Sequence, residues 1–316
     1  MDTPASPTPA SRPQIAVLLA THNGRRWLPD QLRTILDQQG VDVRVIALDD
    51  ESTDGTREWL LEQAAADPRV TVMAPMGPSG SAVANFFRLI QHADINPGEH
   101  VAFADQDDLW MPGKLAAHAA IIESSSVDGV SSNVTSFTAD GRRTLLRKND
   151  PQREFDYLLQ SPGPGSTFLI TPRLLALARE VLSNSYELAI AVDFHDSFLY
   201  VIARARGWRW HIDGMPSVDY RQHDDNVIGA NVGVASALSR LQLIRSHWHR
   251  AQAAAMTRVA LTVAPEATHR QLLRLLQLFE TRSLRSRWQL VRAASQFRRR
   301  PRDRWVIGAL IALGIW

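Results

Sequence analysis

Apolar residues in the first 110 positions fall into short continuous runs separated by polar loops and amphipathic segments. Ile15 to Ala20 (IAVLLA) is apolar throughout, and after THNG the apolar positions Trp27, Leu28, Leu32, Ile35 and Leu36 recur at helical spacing. The same order of strand, loop and helix returns twice. VRVIAL at 43–48 leads through DDESTDGT to REWLLEQAA, and RVTVMA at 69–74 leads through a Gly/Pro/Ser loop to VANFFRLIQHA. A fourth run, HVAFA at 100–104, delivers the chain to DQDD. Strands that are apolar at every position are buried on both faces, so the pattern predicts a parallel sheet in an α/β fold.

Beyond Lys114 the periodicity is mixed. It predicts a helix over Ala116 to Ile122, a strand in VSSNVTSFT, a loop SPGPGS opening onto TFLIT, and a helix after Pro172. AVDFHDSFLYVIARARG reads as helical and is followed by two short strands, WRWHID and PSVDY, and by the polar RQHDDNVIG. From Val234 onward Ala, Leu, Arg and Trp recur at helical spacing. Three regions follow: a disordered Pro/Ser/Thr tail over 1–14, an α/β domain over 15–230, and a basic helical region over 231–316.

In an open α/β sheet ligands bind outside the carboxyl ends of the strands. Here those ends are Thr21-His22-Asn23, Asp49-Asp50 and Asp105-Gln106-Asp107-Asp108. Composition narrows the chemistry there. The chain has no cysteine, which excludes disulfides, thiolate metal sites and cysteine nucleophiles, so any metal is held by oxygen or imidazole. No dinucleotide or P-loop glycine fingerprint follows a strand. DDESTDGT begins like a calcium loop, but Leu61 stands where the bidentate Glu is required. Ser52, Thr53 or Asp54 instead suits the cap of a helix beginning near Gly55, which leaves Asp49 and Asp50 unexplained. Asp105 and Asp107 are hard donors suited to Mg²⁺ or Mn²⁺ shared with a diphosphate. A solvated turn capping a helix near Pro112 accounts for a lone D-x-D equally well.

The set ATHNG at 20–24, LDDESTDGT at 48–56 and FADQDDLWMPGKL at 103–115 resembles the family 2 glycosyltransferases of the GT-A fold. NFFRLI at 85–90, PGSTFLIT at 164–171, HDSFLYVIA at 195–203 and YRQHDDNVIG at 220–229 are similar to the branch containing rhamnosyltransferases of bacterial surface polysaccharides. The resemblance spans roughly 15–230. It implies a nucleotide-sugar-binding sheet flanked by helices, with Ala20, Thr21, His22 and Asp50 lining the base pocket, Asp105 contacting ribose or donor sugar, and Asp107 binding the metal. His22 stands where family members commonly have Tyr. The resemblance further implies inverting transfer with Asp196 as the base. On the residues alone, His195 and Asp196 are equally a helix N-terminus favoured by a carboxylate. Related sequences often carry Trp-Trp after this pair, where Ser197 and Phe198 stand here, so the acceptor pocket differs. His223 is a further candidate metal or diphosphate ligand, with a loop histidine the plain alternative. Arg221 is a candidate bidentate diphosphate contact. Gly165-Ser166-Thr167 is placed near the acceptor or is a simple connector.

Charge separates the two halves. Residues 231–316 hold fifteen arginines against Glu266, Glu280 and Asp303, a net +12 that leaves −10 for the rest of a chain whose formal charge is +2. Such helices can cover the acidic α/β surface, bind nucleic acid, or lie on anionic lipid. No nucleic-acid motif is present, whereas FRRRPRDRW, whose Trp305 opens an apolar stretch of twelve residues too short to span a bilayer, is a polybasic segment beside an interfacial anchor. The start of the chain lacks the features of a secretory signal. The expected protein is therefore cytoplasmic, peripheral on the inner face of the membrane, and transfers a sugar, with dTDP-rhamnose the preferred donor, to a glycan or lipid-linked acceptor. A non-catalytic nucleotide-sugar-binding scaffold and a metal-dependent phosphohydrolase are the competing readings.

Overall fold

The computed structural model describes residues 12–223 and 247–316. The first half alternates as expected: β1 (Gln14–Thr21), α1 (Leu28–Leu36), β2 (Asp42–Asp49), α2 (Thr56–Ala66), β3 (Val70–Val72), α3 (Ala82–His92) and β4 (His100–Ala104). β1 pairs in parallel with both β2 and β4, and β2 in parallel with β3. There follow β5 (Leu109–Trp110), α4 (Lys114–Ser125), β6 (Gly129–Phe137), β7 (Arg143–Leu146), β8 (Leu169–Ile170), α5 (Pro172–Asn184), α6 (Tyr186–Ile190), α7 (His195–Ala205) and β9 (Trp210–Arg221). The sheet runs β3-β2-β1-β4-β8-β6-β9-β5, with β7 on β6. It is mixed, because β8 is antiparallel to both β4 and β6.

Burial on both faces explains the unbroken apolar strands. Ile15, Val17 and Leu19 of β1 pack with Leu28, Leu32 and Ile35 of α1 and with Leu115 and Ala119 of α4. Ala16, Leu18 and Ala20 point the other way, into a core with Phe86 and Phe87 of α3 and side chains of α5 and α7. Alternate residues thus serve opposite layers.

Two local expectations change. WRWHID and PSVDY belong to one strand, β9, whose register against β6 shifts between Ser132 and Val134, so a bulge replaces the expected break. The helix expected from Ala191 begins only at His195. Gln252 accepts from the Asp193 N–H and donates to the Ala191 carbonyl, which occupies the backbone of that stretch.

Four further helices, α8 (Trp248–Val263), α9 (Glu266–Glu280), α10 (Leu284–Phe297) and α11 (Pro301–Leu313), complete the described chain. Met256, Val259, Leu272, Phe279, Leu290 and Phe297 lie in the same buried cluster as Phe198, Leu199 and Tyr200 of α7. The basic helices therefore share a core with one face of the sheet. The expected boundary near 230, and the expected tail up to residue 11, lie outside the described residues; Gln14 already belongs to β1.

Candidate active site

The ends of β1, β2 and β4 are tied to one another by side chains. The Thr21 hydroxyl donates to Asp49 at 2.9 Å, and Asp49 also accepts from the Ser52 hydroxyl at 2.6 Å and the Ser52 N–H at 3.0 Å. Asp49 is thus spent on holding the β1 and β2 loops together. Gln106 clasps the first loop from the other side, accepting from the His22 N–H at 2.8 Å and donating to the His22 carbonyl at 2.9 Å. A Cβ on Gly24 would stand 2.2 Å from the Gln106 amide oxygen, so glycine permits this approach. Asp54 accepts from the Thr56 N–H at 3.1 Å and the Arg25 N–H at 3.0 Å, stabilising the start of α2 as expected, although the cap position itself is Gly55 in the left-handed region.

The four residues expected to frame the base occupy one corner. Ala20 and Thr21 are buried, while His22 is exposed and fixed by the Asp50 carbonyl at 2.8 Å and the Asn23 amide at 3.1 Å. The Asp50 carboxylate is engaged by the Ser79 N–H at 2.5 Å and hydroxyl at 2.7 Å, with Arg88 at 3.8 Å. It anchors the loop that leads into α3.

The acidic cluster divides its carboxylates among different partners. Asp107 Oδ2 lies 2.7 Å from His223 Nε2, across 116 positions of sequence, and the His223 ring stacks on Trp27 at 5.3 Å between centroids. Asp108 is fully buried and accepts from the Arg221 N–H at 3.2 Å; its own burial and the charges of Asp107 and Asp105 hold its pKa well above the usual carboxylate range. Asp105 is pushed up to about 7 by burial first, then by Asp107 and Asp196, with Lys114 opposing. None of the three caps α4, whose N-cap is Gly113 without a side-chain bond, so the plain capping alternative does not describe this cluster. Arg221 donates to the Asp107 carbonyl at 2.9 Å and lies over the rings of Trp27 and Phe137, which fixes β9 to the acidic loop.

Asp196 lies in the first turn of α7, accepting from the Ser161 hydroxyl at 3.1 Å and from the Ser197 hydroxyl at 3.1 Å. Burial raises its pKa, and the Lys148 ammonium opposes that rise. Its neighbour His195 is turned into the core, stacked on Phe86 at 3.7 Å and held neutral by burial, which pulls its pKa down to about 3. A Cβ on Gly165 would stand 2.1 Å from His195 Nε2, so the Gly165–Thr167 turn packs directly under this helix start.

The family model for glycosyl transferase family 2 matches residues 16–184, more than half of the chain. The chain belongs to glycosyl transferase family 2. It is 34% identical over 250 residues to the dTDP-rhamnosyl transferase RfbG of Shigella flexneri, covering 79% of this chain and 86% of that protein. Two solved structures share the GT-A fold. They are residues 1–349 of S. aureus TarS, with a TM-score of 0.54 at 16% identity over 90% of this chain and 80% of that one, and a Pyrobaculum calidifontis mannosyltransferase in complex with GDP-Man and Mn²⁺, with a TM-score of 0.51 at 18% identity over 98% and 83%.

Several residues of this family 2 site had no signal in the sequence. Lys114 is buried, donates to the Ser166 carbonyl at 2.5 Å and lies 3.0 Å from the Trp110 ring centre, where burial drives its pKa well below the usual lysine range against the pull of Asp108 and Asp105. Lys148 and Ser161 meet Asp196 from the segment between β7 and α5. Arg299, at the junction of α10 and α11, is fully buried, donates to the Ser161 carbonyl and stands 3.7 Å from the enclosed Asp156. In sequence Lys148 and Arg299 read as ordinary charged residues, Ser161 as part of a loop and Lys114 as the end of the acidic motif; only the fold gives them these partners. Among the described residues no group of three or more His, Asp or Glu side chains gathers closely enough to hold a metal. The Asp107–His223 pair offers two donors of the type a hard divalent cation accepts.

Proposed function

We propose that this glycosyltransferase moves a rhamnosyl group from deoxythymidine diphosphate rhamnose to a glycan or lipid-linked acceptor of a bacterial surface polysaccharide, with inversion. The donor reading is supported by the 34% identity to a dTDP-rhamnosyl transferase. A nucleoside diphosphate sugar as the donor class is further supported by the UDP-GlcNAc and GDP-Man complexes of the structural relatives. The observation that carries the chemistry is the placement of Asp196 in the first turn of α7, where the Ser161 and Ser197 hydroxyls orient its carboxylate and burial raises its affinity for a proton.

In this reading Ala20, Thr21, His22 and Asp50 frame the base and Asp105 contacts the ribose or donor sugar. The Asp196 carboxylate takes the proton of the acceptor hydroxyl as that oxygen forms its bond to the anomeric carbon. The bond from that carbon to the diphosphate breaks on the opposite face. Asp107 and His223 would hold Mg²⁺ or Mn²⁺, which when bound supplies Lewis-acid stabilisation of the departing diphosphate. Arg221 braces the loop bearing Asp107 and adds positive charge beside that position. Residues 15–230 form the catalytic unit, and the basic region 231–316 keeps the enzyme at an anionic membrane surface on the cytoplasmic side.

The test is incubation of the purified protein with a panel of nucleotide sugars, Mn²⁺ and a lipid-linked acceptor. Transfer from dTDP-rhamnose, with an anomeric configuration opposite to the donor's, is expected. Donor loss without acceptor modification would overturn transfer, and turnover of a different donor alone would overturn the rhamnosyl assignment.

A further inference from the structure

A cavity of about 110 Å³ lies among the C-terminal helices, away from the acidic strand ends. Arg250, Arg282 and Arg287 line it together with His247, Leu290 and Trp316, and no acidic side chain does. Arg250 donates to the carbonyls of Phe279 at 2.5 Å and Thr281 at 2.6 Å, and Arg287 reaches the Ala312 carbonyl at 3.5 Å, so both are tied to helix ends. Arg282 has no hydrogen bond or ion pair among the described residues. The Trp316 side chain is 4% exposed, and its indole N–H has no acceptor among the described residues. The unmet groups are the Arg282 guanidinium, the Trp316 indole N–H and the His247 Nδ1, which donates when it carries the proton. Burial and the charges of Arg282 and Arg287 lower the pKa of Arg250, a repulsion that an anion would relieve.

The surface beside the cavity is apolar. Leu284 and Leu313, chain neighbours of the lining Ser283 and Gly314, are each 70% exposed, and Trp288 and Trp305 are 64% and 82% exposed. The outward positions of α11 after Arg302 are Trp305, Val306, Ala309, Ala312 and Leu313, with no charge among them. A solvent-facing helix ordinarily turns its polar side outward. No described helix is long and apolar enough to cross a membrane, so this face can lie on a bilayer but not span it.

We infer that the cavity takes the phosphate of an anionic phospholipid headgroup while the outer face of α11 rests in the interfacial layer. The inference rests on the membrane-facing placement proposed above and gives it a specific lipid contact. Arginines that meet the lipid phosphate and tryptophans at headgroup depth are the pairing such a surface requires.

The experiment is co-sedimentation of the full chain with vesicles of phosphatidylglycerol and phosphatidylcholine, with pure phosphatidylcholine vesicles and with inorganic phosphate as comparisons. Binding to the anionic vesicles alone is expected, with Arg282→Glu weakening it at least about tenfold, since each basic residue near the surface contributes roughly a factor of five. Arg282 is exposed and without a partner among the described residues, so this variant should fold; unchanged thermal melting checks that. Trp305→Ser should weaken binding without altering the preference for anionic lipid. Anionic binding that Arg282→Glu leaves intact would overturn the headgroup site while sparing membrane association. No vesicle binding at all would overturn both. Stabilisation by inorganic phosphate without vesicle binding would mark a site for free phosphate instead, and a dimer in solution broken by Trp305→Ser would mean that a second copy covers this face.

Discussion

The Ser161 hydroxyl donates to Asp196 at 3.1 Å, while the carbonyl of the same Ser161 accepts from the buried guanidinium of Arg299. The side chain that orients the proposed base is thus held from behind by the junction of α10 and α11. Arg299 also faces Asp156, which accepts from the Tyr200 hydroxyl at 3.1 Å, so the link extends into α7 itself. The C-terminal helices consequently support the site as well as the core.

Removing Arg299 leaves Asp156 enclosed with one fewer positive neighbour, the Arg204 guanidinium at 3.4 Å remaining. Breaking a buried pair on one side costs about 3 kcal/mol or more. Arg299→Ala is expected to lower the urea midpoint accordingly and to reduce kcat more than it raises KM. Equal stability of variant and parent would show that Arg299 is not holding this junction.

Loss of the proposed base should be far more severe in rate than in stability. Asp196→Ala is expected to lower transfer by about 10²- to 10⁴-fold, the range of a general base, with the circular dichroism spectrum unchanged. Asp107→Ala should likewise abolish transfer and also weaken Mn²⁺ binding measured by calorimetry. Full activity in either folded variant removes that residue from its role.

The pH dependence follows from the neighbours of Asp196. The base accepts a proton only when ionised, burial raises its pKa, and the Lys148 ammonium lowers it. Ser161 and Ser197 donate to it, and its charge in turn raises the pKa of Asp105. Replacing Lys148 with Met removes a charge that favours the carboxylate, so the acidic limb of the kcat/KM profile should move to higher pH. A limb that stays in place, or moves to lower pH, contradicts the assignment.

Gly165 tests the packing under α7. Gly165→Ala would place a methyl group against the His195 ring, which is backed by its stack on Phe86. Overpacking of this kind costs about 1–3 kcal/mol. Thermal denaturation should register the loss, and activity should fall further as the start of α7 is displaced from its contact with Ser161.

The sequence by itself determined the layers of the first half and pointed to the strand ends as the candidate site. Runs such as IAVLLA and HVAFA specify strands buried on both faces, because each residue must find an apolar neighbour whichever way it points, and the polar residues remaining at the strand ends mark where a ligand can enter. The order of motifs was enough to reach the family. Tertiary structure alone decided how the carboxylates divide their work. Asp107 meets His223, Asp108 meets the backbone of Arg221, and the Asp196 charge adds to the rise in the Asp105 pKa, because β9 and α7 return toward the end of β4 after long excursions. Asp49, unexplained in sequence, and the carboxylate of Asp50 bind loops together. Lys114, Lys148 and Arg299 gave no local signal, since a charged residue destined for burial has the same neighbours in sequence as one destined for solvent. Its role is set by desolvation and by partners that only the folded chain brings within reach.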